Sequence, residues 1–123
     1  MKTIIFLCGI YSLGFAIFHI GFWKLFHWEK DLIKLQFANR GIMQILNIQL
    51  IFYFLFAACV CLVFSTELLS TQLGKMFLGA NVIFWFIRTI QQFIFFNSKS
   101  LIINILTVIF IIGTVLFALP LLF

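Results

Sequence analysis

Residues 76–96 read MFLGANVIFWFIRTIQQFIFF, an apolar run whose single charge is Arg88. About 20 apolar residues cross the hydrocarbon of a bilayer as a helix, so this stretch reads as a membrane span. A central arginine there costs about 2.5–3.5 kcal/mol, which makes it a functional-site hypothesis by default. No Asp or Glu lies in any apolar stretch to neutralise it. The uncharged stretches Thr3 to Trp23, Gly41 to Thr66 and Ser100 to Phe123 are as long, and together the four spans account for nearly the whole chain.

The composition agrees. Hydrophobic residues make up 65% of the 123 and charged residues only 9%, with a mean hydropathy of +1.26; a soluble domain carries far more charge. The expected fold is all-α: an integral-membrane, up-down-up-down bundle of four transmembrane helices at about residues 3–26, 41–65, 73–96 and 100–122. It forms a single membrane domain over residues 1–123. Short links make consecutive helices antiparallel neighbours. The apolar run after Met1-Lys2 continues to Trp23 without a small-residue cleavage site, so it reads as a retained first span rather than a signal peptide. Cys8, Cys59 and Cys61 all fall in spans and are odd in number, the pattern of small apolar packers rather than a disulfide framework.

Only the first loop has room for structure. Within residues 28–38, Trp28, Leu32 and Leu35 recur at helical spacing, with Glu29, Lys30, Asp31 and Lys34 on the other faces. That pattern predicts a short amphipathic helix in the headgroup region. Asn39, Ser70 or Thr71, and Ser98 are the expected caps of the second, third and fourth spans. Pro120 falls near the end of the fourth, where a missing backbone donor disturbs little.

The net charge of +5 does not form a nucleic-acid-binding tract. Lys24, Lys30, Lys34 and Arg40 gather in the first loop and Lys99 marks the third, whereas Lys2 and Lys75 lie on the opposite side. The positive-inside rule then predicts loops one and three in the cytoplasm and both termini outside. Abundant Phe, Ile, Asn and Lys suggest an AT-rich bacterial genome, hence a bacterial inner membrane.

Each span also carries polar residues three and four positions apart, which places them on one helix face. These are Ser12, His19 and Trp23; Arg40, Gln44 and Asn47; Asn81, Trp85, Arg88 and Gln92; and Asn104, Thr107 and Thr114. Facing them to lipid is expensive, so the expectation is a polar seam inside the bundle. Arg88, His19, Trp23, Gln44, Asn47, Trp85, Gln92 and Asn104 are the candidate ligand-binding residues. Taken singly, the amides suit interhelical hydrogen bonding, worth about 0.6 kcal/mol each. A permanent cation is not required for that purpose, and guanidinium offers a fork of donors matched to carboxylate and phosphate oxygens.

Other chemistry finds no support. His19 and His27 lie roughly 12 Å apart along one helix, too far to share a metal, and no further histidine exists. Neither a carboxylate pair, nor a Cys–His pair at readable spacing, nor a phosphate-binding glycine loop is present. No catalytic residue, metal or cofactor is therefore expected. Small multidrug antiporters share the four-span plan but place a glutamate in the first span, which this chain lacks. Small fluoride channels lead into their arginine through glycines, where this chain has Ile83-Phe84-Trp85-Phe86-Ile87. The expected function is non-enzymatic binding of an anionic or carbonyl-bearing amphiphile (lipid, fatty acid or quinone-like) at Arg88, or service as an accessory subunit of a membrane complex. The alternative is a minimal oligomeric transporter or anion channel. The expected partners are the bilayer, such an amphiphile, and further copies or subunits.

Overall fold

The computed structural model describes residues 1–96 and 100–123. The expected third loop, the cap at Ser98 and the charge at Lys99 lie outside the described residues. The fold is all-α. Among the described residues, four helices are long and apolar enough to cross a membrane: α1 (Lys2–Ile20), α4 (Phe37–Val63), α6 (Gln72–Phe95) and α7 (Leu101–Leu122). Shorter helices α2 (Phe22–Leu25) and α3 (Trp28–Asp31), with a 3-10 turn at Leu32–Lys34, connect α1 to α4, and α5 (Ser65–Ser70) connects α4 to α6. The chain divides into two compact units, one formed by Met1–Cys8 with Cys61–Phe123 and the other by Gly9–Val60.

In the Gly9–Val60 unit, α1 and α4 run antiparallel. Phe15 meets Phe54 with ring centroids 5.7 Å apart, and four residues later on α1 the carbonyl of His19 accepts from Asn47 at 3.1 Å. α1 stops at Ile20, short of the expected residue 26. The Gly21 N–H donates back to the carbonyls of Ile17 and Phe18, at 3.2 and 3.1 Å, and closes the helix. His27 then adopts left-handed backbone geometry, φ 53° and ψ 46°, a conformation that His tolerates better than most side chains. This turn brings the Trp28 ring edge-on to Phe22 at 5.7 Å and to Trp23 at 6.2 Å. Trp28 and Leu32 are buried while Glu29, Lys30, Asp31 and Lys34 are exposed. Two members of the expected stripe are therefore buried, whereas the third, Leu35, is half-buried in extended backbone just past the 3-10 turn, and the helix is shorter than anticipated. α4 begins at Phe37, so Asn39 lies in its first turn rather than at its cap.

In the other unit α6 and α7 are antiparallel, since Gln92 contacts Ile103, Arg88 contacts Phe110 and Gly79 faces Leu121. Where a plain second loop was expected, α5 folds against the start of α6. Thr71 caps α6 as anticipated: its hydroxyl accepts from the Gly74 N–H at 2.9 Å and donates to the Glu67 carbonyl at 2.8 Å. Gly74 is buried in the angle between the two helices. A Cβ added there would collide with the Leu68 Cα and the carbonyl oxygens of Glu67 and Leu68. The start of α1 joins this unit, with the Cys8 thiol directed at the Leu116 carbonyl at 3.5 Å. Cys8, Cys59 and Cys61 are all free thiols, and Pro120 sits in the last turn of α7.

Candidate functional site

The candidate residues fall into two sets, one in each unit. Arg88 projects from α6 in the Cys61–Phe123 unit, and its guanidinium carbon lies 4.5 Å from the centroid of the Phe110 ring on α7. Trp85, one turn earlier and only 1% exposed, stacks on the same ring at 5.8 Å and 21°. Gln92, one turn later, donates through Nε2 to the Ile103 carbonyl at 3.1 Å, and the Thr107 hydroxyl donates to that carbonyl at 2.9 Å. Arg88, Trp85 and Gln92 thus line one face of α6 against Phe110 and Ile103 of α7, a juxtaposition the helical spacing predicts.

Depth sets the electrostatics. Arg88 lies roughly 10 Å from Phe95, the end of α6, at 1.5 Å per residue. Side chains on a helix lean toward its N-terminus, so Arg88 leans away from that nearer end. Phe110 lies roughly 14 Å along α7 from Leu101 by the same rise, close to the half-thickness of a hydrocarbon core about 30 Å across. The guanidinium is therefore directed along α6 away from the nearer helix end. A cation over an aromatic face gains about 0.5–2 kcal/mol, less than the cost of a central arginine on insertion scales, about 2.5–3.5 kcal/mol. Among the described residues no carboxylate pairs with Arg88 to close the difference. Its fork of N–H donors has a π face on one side and a requirement for oxygen acceptors.

Gln92 adds an acceptor. It is only 2% exposed, and among the described residues its Oε1 is buried without a hydrogen-bond partner. The amide orientation follows from chemistry, because the Ile103 carbonyl only accepts and so must face the NH₂ end. Asn104, expected to face the interior, is instead exposed on α7, as is Gln91 on α6.

The second set serves the local structure of the Gly9–Val60 unit. His19 stands in the last turn of α1, where carbonyls lose their intrahelical partners, and Asn47 Nδ2 supplies the missing donor to its carbonyl. The His19 ring donates from Nδ1 to the Phe15 carbonyl at 2.9 Å, stacks on Phe22 at 4.3 Å and packs on Phe54 at 5.1 Å. Gln44 turns to its own helix and donates to the Arg40 carbonyl at 3.2 Å. Trp23 is exposed beside Trp28. Among the described residues no three His, Cys, Asp or Glu side chains gather as a metal-binding group.

Tracing the seam missed Gln49, and also Thr89, whose hydroxyl donates to the Trp85 carbonyl at 2.8 Å. Gln49 stands near the middle of α4, exposed and two positions from Asn47, which puts it on the opposite side of the helix. Its isolation within an apolar run was the available signal.

Comparison with protein-family models, with curated proteins and with solved structures yields no match to this chain.

Proposed function

We propose that this chain is a non-enzymatic, multi-pass membrane protein that binds an anionic or carbonyl-bearing amphiphile at Arg88, by itself or as an accessory subunit of a larger membrane complex. The observation that carries this reading is the Arg88 guanidinium over Phe110 with no carboxylate partner among the described residues. An oxygen acceptor brought by a ligand would complete its coordination with charge-assisted hydrogen bonds, about 1.5–3 kcal/mol each. That range covers the shortfall left by the aromatic contact. The depth of the cation favours a head group that itself enters hydrocarbon, such as a carboxylic acid or quinone carbonyl, over a phosphodiester confined to the interface. Phe110 holds one face of the guanidinium and Trp85 stacks on the same ring, which fixes the cation in place for such a head group, with the Gln92 amide one turn away.

Orientation follows from charge. Five Lys/Arg residues flank loops one and three against two on the other side, so both termini face out and those loops face the cytoplasm. The host is a bacterial inner membrane. Four apolar helices fit an integral membrane protein.

The test is extraction of the purified, detergent-solubilised protein and identification of retained small molecules by mass spectrometry. The expected result is one enriched amphiphile class bearing a carboxylate or conjugated carbonyl. Retention of only bulk phospholipid, in the proportions of the membrane of origin, contradicts the proposal.

A further inference from the structure

Gln49 is left unexplained by ligand binding at Arg88. It lies in α4 roughly 18 Å from Phe37 and roughly 21 Å from Val63 at 1.5 Å per residue, near the middle of a helix of membrane-spanning length. Its side chain is exposed and makes no hydrogen bond among the described residues. The other two amides on this stretch of helix behave differently. Gln44 donates to the Arg40 carbonyl and Asn47 to the His19 carbonyl. Around Gln49, the residues one and two turns away, Ile42, Ile45, Phe52 and Phe56, are exposed and apolar.

A primary amide at the centre of a bilayer has neither water nor headgroup within reach, and lipid tails offer it nothing. Its two N–H donors and one carbonyl must be satisfied by another polar group delivered at the same depth. We propose that this face of α4 is a dimerisation surface, occupied by α4 of a second copy of the chain, with the Gln49 amides of the two copies hydrogen-bonded to each other.

Two arguments select a second copy. Copies inserted by the same topology signals share one orientation, so a two-fold axis relating them runs along the membrane normal and brings identical residues to identical depth. A carboxamide is also its own complement, donating from NH₂ and accepting at C=O, so one residue at the axis satisfies both partners. The apolar residues above and below add helix–helix packing, the main attraction available between helices in lipid.

The experiment measures dimerisation of the full chain, labelled at its N-terminus with donor or acceptor fluorophore and reconstituted in phosphatidylcholine vesicles across a range of protein-to-lipid ratios. Wild-type protein is expected to show energy transfer well above that of randomly distributed monomers. Gln49→Leu should weaken the dimer roughly three- to twentyfold, and Gln49→Asn, which keeps the amide, should recover most of the loss. Circular dichroism of each variant separates loss of pairing from loss of fold. Energy transfer at the random level in wild type, or a Gln49→Leu dimer as tight as wild type, overturns the proposal. So does a monomeric wild type that cross-links through position 49 to a different membrane protein.

Discussion

Two buried amides on different helices each keep a side-chain oxygen without a hydrogen-bond partner among the described residues, and it is the carbonyl each one donates to that separates structural from binding roles. Asn47 donates to a carbonyl that the end of α1 leaves without a helical partner, so Asn47→Ala should destabilise the protein by about 1 kcal/mol. Thermal unfolding in detergent, followed by circular dichroism, checks this; an unchanged midpoint would mean the carbonyl finds another donor. Gln92 shares the Ile103 carbonyl with Thr107 and keeps an orphan Oε1. Its replacement by Leu removes the orphan with the bond, and stability should stay within about 0.5 kcal/mol while ligand retention falls. A large loss of stability would instead mark Gln92 as purely structural. At this scale the sequence was informative where spacing decided the outcome. Trp85, Arg88 and Gln92 share a face because they are three and four residues apart. Asn104 was misjudged because its spacing to Thr107 shows that the two share a face but not which way that face turns, and α7 is too uniformly apolar to orient itself by pattern. Gln49 lay off the traced stripe for the reason that now makes it interesting.

Helix boundaries depend on local turns that hydropathy averages away. The continuous apolar run through Gly21 and Phe22 predicts an unbroken first span, whereas the Gly21 closure and the left-handed His27 break it in two places. A β-branched side chain suffers most in that conformation, so His27→Val should cost roughly 1 kcal/mol and His27→Gly should be near neutral. Unfolding midpoints of the two variants, compared side by side, give the answer, and equal effects would argue against the turn. α5 was not anticipated because only the first loop offered room for structure; the buried Leu68 and the close approach of Gly74 were the features that required a helix. Gly74→Ala must push α5 off α6, an overpacking penalty of about 1–3 kcal/mol. Faster proteolytic cleavage near residues 64–71 in that variant, at unchanged overall helicity, is the signature; wild-type cleavage rates would show that the contact is not needed.

The molecule as a whole was the most legible, because a bilayer imposes one dominant constraint. Length and apolarity identify four spanning helices whatever their side-chain detail, and the four appear. Cysteines introduced at Lys34 and Glu67, in a background lacking Cys8, Cys59 and Cys61, should react from the cytoplasmic and outer sides respectively. The opposite pattern would invert the orientation, and same-side labelling would break the four-span order. Length and apolarity fix the cost of Arg88 and say nothing of a partner, so the proposed amphiphile has to be sought directly. The most direct measurement is native mass spectrometry of wild-type and Arg88→Leu protein at equal concentrations of an added long-chain fatty acid and, separately, a quinone. Binding of at least one by wild type, weakened roughly ten- to hundredfold in Arg88→Leu at unchanged helicity, is the predicted result; equal adduct populations in the two proteins, or none in either, would contradict it.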